Sequence, residues 1–220
     1  MTPGRIALVL GGARSGKSAE AERLVTSWAG GQAVTYVATA VLDVDDPSMA
    51  ARVDAHRTRR PATWTTVDAG TDLVDVLRST EGPILLDSLG PWAAASHPHV
   101  PDPAALVAAL AARTHDTVVV SDEVGLAVHP VTESGRWFVD AMGTLNQAVA
   151  AVADDVRLVV AGRVLVLPPA ARATSLDSSM PRNDPGCRTA PGPGRGSTGP
   201  VDRAETDPAV RVADATGGPS

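Results

Sequence analysis

The chain has 220 residues, a formal net charge of −6 and a sequence pI near 5.3, a balance that argues against nucleic acid as an obligatory partner. Its one cysteine, Cys187, excludes an internal disulfide. With no basic start followed by a long apolar stretch, and no apolar run of bilayer length, the expectation is a soluble cytoplasmic protein with neither a signal peptide nor a membrane span. Aromatic residues make up only 3%, so the core has to be built from Val, Leu, Ile and Ala.

The first apolar run, 6–10, has the character of a buried parallel strand. It leads into Gly11, Gly12, Ala13, Arg14, Ser15, Gly16, Lys17 and Ser18, which fit the phosphate-binding pattern G-x-x-x-x-G-K-[ST]. Glycines let the backbone curl until its N–H groups face an anion. A lysine at position 17 reaches the β- and γ-phosphates of a nucleotide, and a serine hydroxyl at 18 ligates Mg²⁺. Ala21, Leu24, Val25 and Trp28 then recur at helical spacing, and Gly30-Gly31 supplies a stop. Strand, glycine loop and helix in that order distinguish a nucleotide site from a chance glycine-rich turn.

Further strands are expected at 33–38, 64–67, 84–86, 117–121, 157–160 and 164–167. Helical patterns separate most of them. One starts at Pro47 with Asp46 as N-cap, one at Asp102-Pro103, and a long one covers 133–153 with Phe138, Met142, Leu145 and Val149 in register. This alternation predicts an α/β fold, a mostly parallel sheet with helices on both faces. Only Ala161, Gly162 and Arg163 separate the last two strands, too few for a parallel crossover, so these form a hairpin at the sheet edge. After Pro168 the composition turns to Pro, Gly, Ser, Thr, Arg and Asp. The chain divides on this reading into a nucleotide-binding domain, 1–167, and a disordered tail, 168–220.

Ligands of an open parallel sheet sit at the carboxyl ends of the strands. The polar residues found there are the glycine loop, Thr39, Asp87 and the pair Asp122-Glu123. A phosphate loop needs an acid at such an end to hold Mg²⁺, directly or through water. Spacing alone leaves Asp87 and Asp122 equivalent, each with the alternative of an ordinary turn acid. A second cluster is His56, Arg57, Thr58, Arg59, Arg60 and Pro61, followed by Trp64. One reading is a half-buried histidine closing a helical stripe with Met49 and Val53. The other is a histidine at an anion site, its neutral nucleophilic form favoured by cationic neighbours, with arginines that clamp a polyphosphate. His97 and His99 have no partner at metal-ligand spacing, His115 precedes a strand as a surface residue, His129 follows the acidic pair without an assigned role, and no Cys/His cluster suggests zinc.

Taken in order, these motifs resemble the bifunctional adenosylcobinamide kinase / adenosylcobinamide-phosphate guanylyltransferase family of cobalamin biosynthesis. The likeness rests on the glycine loop, on Tyr36-Val37-Ala38-Thr39-Ala40 and on 51–57 with Arg60, Pro61 and Trp64. It continues through Ile84-Leu85-Leu86-Asp87, Asp122-Glu123-Val124-Gly125, Leu145-Asn146-Gln147 and Val159-Val160-Ala161-Gly162. It covers 1–167 and none of the tail. It implies a RecA-like P-loop fold, a homotrimer, and two reactions on one corrinoid. ATP or GTP phosphorylates adenosylcobinamide; GTP then gives GMP to the phosphate, through a guanylylated histidine matching His56. It also implies nucleotide contacts at Leu10 and the loop through Lys17, at Ala38, Thr39 and Ala40, at Arg57, Thr58, Arg59 and Arg60, and at Asp68 and Asp87. Asp68 and Asp87 depart from a frequent glutamate, and Ala127 from a frequent glycine. A single-activity P-loop kinase and a nucleotide-binding regulatory module are the rival readings.

Overall fold

Seven short runs, five of them rich in Val, Leu and Ile, become the strands of one sheet. The computed structural model describes residues 2–40, 61–128 and 130–169. Cα packing divides the chain into Met1–Arg172 and Ala173–Ser220, and every described element lies in the first unit. In chain order these are β1 (Ile6–Gly11), α1 (Lys17–Ala29), β2 (Thr35–Ala38), β3 (Thr65–Asp68), α2 (Leu73–Ser79) and β4 (Ile84–Asp87). Then come α3 (Leu89–Ser96), α4 (Pro103–Ala111), β5 (Thr117–Asp122), α5 (Glu133–Ala150), β6 (Asp155–Val160) and β7 (Arg163–Val166). The expected helix at Pro47 lies outside the described residues, as do Cys187, His129 and the stretch beyond 169.

The strand order is β3-β2-β4-β5-β1-β6-β7. All neighbours run parallel except β6 and β7, which form the expected antiparallel edge hairpin. The hairpin turn is shorter than expected. Ala161 and Gly162 alone make it, at φ of 50° and 72°, and Arg163 already pairs with Val160. Two residues at positive φ twist the turn to match the strands.

β1, β4 and β5 are buried on both faces, which is why each is a continuous apolar run rather than an alternating one. On one face Leu8, Leu86 and Val119 pack with Leu73, Leu77, Trp92, Leu106, Met142 and Leu145, so α2, α3, α4 and α5 all lie there. On the other face Val9, Leu85 and Val120 meet Ala21, Leu24 and Val25 of α1, the one described helix on that side. Caps set the helix starts. Asp102 accepts from the Ala104 N–H at 2.9 Å with Pro103 in the first turn, and Thr132 accepts from the Gly135 N–H at 3.1 Å. α5 stops at Ala150, short of the expected 153. The Asp154 N–H donates to the Ile6 carbonyl and its carboxylate accepts from the Ile6 N–H, each at 2.8 Å, and this draws the chain off the helix into β6.

Below the sheet, at the amino ends of the strands, Arg113 is only 8% exposed. Its guanidinium donates to the carbonyls of Leu77, Thr80 and Gly82 and to the Thr117 hydroxyl, joining the end of α2 to the start of β5. Burial pulls its pKa down to about 10.

Glu20, on the first turns of α1, holds an ion-pair network against the sheet. It accepts from Arg23 at 2.7 Å and from Arg157 of β6 at 2.6 Å, and Arg157 also grips Asp155. The Arg23 hydrogen bonds, then those of Arg157, hold the Glu20 carboxyl below its ordinary value against the opposing effect of burial. A carboxyl depressed in the folded state stabilises it above the unfolded pKa, and that contribution is lost as pH falls through the lower folded value. Glu20→Gln is therefore expected to cost about 2 kcal/mol at neutral pH, a melting shift of roughly 4–8 °C. Thermal melts below about pH 4.5 should show the wild type falling toward the variant. A gap that stays constant into acid would refute the network's role.

Candidate active site

The loop between β1 and α1 forms at the carboxyl edge because β1 ends in glycine. A Cβ on Gly11 would stand 2.4 Å from Ser15 Oγ and 2.7 Å from the Val159 carbonyl, so the chain passes here only without one. Arg14 and Gly16 take left-handed φ values of 56° and 98°, which close the curl. The Ser15 N–H donates to the Gly12 carbonyl at 3.3 Å, and the Lys17 N–H to Ser15 Oγ at 3.3 Å. Gly16 stands at the N-cap of α1 and has no side chain to cap it. Its amino end, with the partial positive charge of the helix dipole, faces the loop, an arrangement suited to an anion.

Lys17 crosses the mouth of the loop. Its ammonium donates to the Gly12 carbonyl at 3.3 Å and pairs with Asp122 Oδ1 at 2.8 Å. Strand order explains why Asp122 is the acid that meets it. β5 lies directly beside β1 with Asp122 level with Gly11, and the Glu123 N–H donates to the Gly11 carbonyl at 3.1 Å. Gly90, in the first turn of α3, leaves room for the same carboxylate, since a Cβ there would lie 2.3 Å from Asp122 Oδ2.

Asp87 stands one strand further away, on β4. Its register partner is Val120, so it sits two residues lower on the sheet than Asp122. The Tyr36 hydroxyl donates to Asp87 Oδ2 at 3.1 Å. Thr39 is fully buried, and its hydroxyl is engaged with Ser88, donating to the carbonyl at 2.5 Å and accepting from the N–H at 3.3 Å. Ala38 pairs with both Asp87 and Asp68, so these three line one level of the edge, with Ala40 just past it. Asp68 is exposed on β3, four strands from β1, or roughly 19 Å at ordinary strand spacing. The structure thus gathers Leu10, the loop from Gly11 to Ser18 and Asp122 at one point, with Asp87, Ala38, Thr39 and Asp68 strung along the edge. His56, Arg57, Thr58, Arg59 and Arg60 lie outside the described residues.

Some contributors carry no recognisable sequence signal. The Gly162 N–H donates to the Ser15 carbonyl at 2.8 Å, and the position of a Cβ on Gly16 is 3.5 Å from Gly162 Cα, so the edge hairpin braces the phosphate loop. Only the closeness in sequence of Val159-Val160-Ala161-Gly162 to a known motif hinted at it. Beside the edge an open groove of ≈ 1150 Å³ runs between α5 and β6, lined by Leu10, Glu123, Val124, Val139, Asn146 and Val156 among others. Past it, Leu126, Val128 and Val131 are 80%, 93% and 92% exposed.

A family model described as cobinamide kinase / cobinamide phosphate guanyltransferase matches residues 7–167, the stretch that carries all of this geometry. The chain belongs to that family. The bifunctional adenosylcobalamin biosynthesis protein CobP of Pseudomonas aeruginosa is 40% identical over 164 residues, spanning 70% of this chain and 92% of that one. The proteins named CobU of Escherichia coli and Salmonella typhimurium are 33% and 35% identical over 177 residues, covering 70% of this chain and 95% of each. Among solved structures, the flagellar accessory protein FlaH of Methanocaldococcus jannaschii overlaps 76% of this chain and 79% of its own, at 14% identity and a TM-score of 0.45. P4 protein from bacteriophage phi6 in complex with ADP overlaps 75% and 55%, at 13% and 0.41. Both are too distant to add to what the strand order shows. As a member of the cobinamide kinase family, the chain is a nucleotide-using enzyme of cobalamin biosynthesis. Among the described residues no helix is long and apolar enough to cross a membrane.

Proposed function

We propose that this member of the family phosphorylates adenosylcobinamide with ATP or GTP and then transfers GMP from GTP to the phosphate it has made, through His56. The observation that carries the nucleotide end of this reading is the convergence of Lys17 and Asp122 on the glycine loop. In the first step an acceptor hydroxyl oxygen attacks the γ-phosphorus. The bond to the β,γ-bridging oxygen breaks, the nucleoside diphosphate leaves, and the hydroxyl proton passes to solvent. The loop amides and the ammonium of Lys17 face the charge that spreads over the transferred group. In the second step a neutral His56 nitrogen attacks the α-phosphorus of GTP and pyrophosphate leaves. An oxygen of adenosylcobinamide phosphate then displaces the histidine, breaking the P–N bond and yielding adenosylcobinamide-GDP. Arg57, Thr58, Arg59 and Arg60 hold phosphates, while Ala38, Thr39, Ala40, Asp68 and Asp87 follow the nucleotide along the sheet edge.

Mg²⁺ suits the donors present, a Ser18 hydroxyl with the carboxylates of Asp87 and Asp122, since this hard ion takes few protein oxygens and the rest from phosphates and water. When bound, it neutralises charge on the phosphates. Residues 1–167 form the catalytic domain on this reading, with 168–220 outside it, and the enzyme is cytoplasmic. It assembles as a homotrimer, for which the edge of β7, unpaired among the described residues and carrying exposed Val164, Leu165 and Val166, supplies an apolar surface.

The test uses GTP labelled at the α-phosphate, with protein and Mg²⁺ but no corrinoid. Acid-labile, base-stable label is expected to stay on the denatured chain and to vanish in His56→Ala, whose kinase step persists. Label that survives His56→Ala, or none at all where nucleotide binds, would leave a single-activity kinase.

A further inference from the structure

Asn146 is a polar side chain on the core-facing side of α5, 9% exposed, among Met142, Leu145 and Val149. Both ends of its amide are bonded. The fully buried Ser121 hydroxyl donates to its Oδ1 at 2.6 Å, and its Nδ2 donates to the Asp122 carbonyl at 3.0 Å. A carbonyl can only accept, which fixes which end of the amide is which. The second bond stands where the sheet runs out. β4 pairs with β5 only as far as Asp87 opposite Val120, so the Asp122 carbonyl lies past the last β4 rung and takes its donor from α5 instead. On the other side β5 is tied to β1 up to Gly11, through the Glu123 N–H. The backbone that carries the Asp122 carboxylate is thereby held on both sides, and that carboxylate meets Lys17 at 2.8 Å.

We infer that Asn146 is a positioning residue for phosphoryl transfer: it fixes the end of β5 and so sets Asp122 against Lys17. It touches neither nucleotide nor acceptor in this role. A leucine of similar size would fill the space and fold, but would leave the Ser121 hydroxyl and Asp122 carbonyl unpartnered and the strand end free to shift. A misplacement of about 1 Å at such a site costs on the order of 10²-fold in rate. The inference rests on the placement of Lys17 and Asp122 in the machinery, and the test separates the two.

The experiment measures kcat and nucleotide KM for phosphorylation of adenosylcobinamide, per folded molecule, in Asn146→Leu, Asp122→Asn and the double variant. Met142→Ala, on the same helix and fully buried, serves as the control for lost stability. Asn146→Leu is expected to lower kcat about 10- to 100-fold with KM within about threefold, while Met142→Ala keeps its kcat. In the Asp122→Asn background, Asn146→Leu should add less than about twofold, since the two act as one unit. If Asn146→Leu yields no folded protein, Asn146→Asp, which still accepts from Ser121 but cannot donate to Asp122, should show the same loss. Equal kcat in Asn146→Leu and wild type would overturn the inference and leave Asp122 in place. So would a full additive loss in the double variant. An Asp122→Asn enzyme with undiminished kcat would overturn both.

Discussion

Lys17→Ala is expected to lower kcat for phosphorylation of adenosylcobinamide by about 10²–10³-fold while the chain stays folded. The ammonium lies across the mouth of the loop, bonded to the Gly12 carbonyl and to Asp122. When phosphates arrive it can turn to them without any backbone movement, because the loop is already closed by Ser15 and Gly16. Its removal takes away the transition-state contact and also leaves the Asp122 carboxylate, 29% exposed, without its bonded cation. Arginine should not restore the rate, since its planar fork cannot replace a compact point charge under a tight glycine loop. Steady-state kinetics of Lys17→Ala and Lys17→Arg, with nucleotide affinity measured separately, test this. A kcat within tenfold of wild type would show that Lys17 serves the loop and not the reaction.

The second large effect is expected at Gly11. Alanine there must place its methyl group 2.4 Å from Ser15 Oγ and 2.7 Å from the Val159 carbonyl. The first neighbour is a short side chain on the loop itself and the second is backbone of β6, so neither yields cheaply. Overpacking of this kind costs about 1–3 kcal/mol in stability. The larger consequence is local. The loop must lift from β6, which breaks the Ser15 contacts and misaims the amides, weakening nucleotide binding on the order of 100-fold. Calorimetric titration with nucleotide beside a thermal melt separates the two. Gly12→Ala is the matched control, since nothing stands within 4 Å of a Cβ there. Affinity within threefold of wild type in Gly11→Ala would disprove the close-approach argument.

The sheet was largely legible in the sequence because its central strands are buried on both faces and therefore unbroken in their apolar character. Ile6 to Leu10 and Thr117 to Ser121 differ from β1 and β5 only by one residue at the carboxyl end, where glycine and aspartate no longer look apolar. α3 has no clear signal in the sequence. It is short, and it carries Gly90 and Pro91, two residues that suggest a break, in a first turn that tolerates both. The glycine loop was legible because its chemistry is contiguous. The pairing of Lys17 with Asp122 was not, since Asp87 and Asp122 both end apolar runs. Only the order in which strands lie side by side sets β5 against β1 and β4 beyond it. Thr39 shows the opposite limit. Its place at a strand end suggests a ligand contact, and nothing in the sequence announces that its hydroxyl also ties β2 to Ser88.

The brace between Gly162 and the phosphate loop has a consequence for synthesis on the ribosome. The loop is among the first segments to emerge, yet the acid that meets its lysine and the turn that supports its Ser15 carbonyl are among the last parts of the sheet to be made. The curl of the loop is local to residues 12–17, but a nucleotide meets the complete cradle only once β5, β6 and β7 have joined β1. Such long-range closure makes folding slow and leaves the apolar β1 run exposed in the interim. A chain cut short before residue 162 would keep the motif but lose the turn that supports the Ser15 carbonyl.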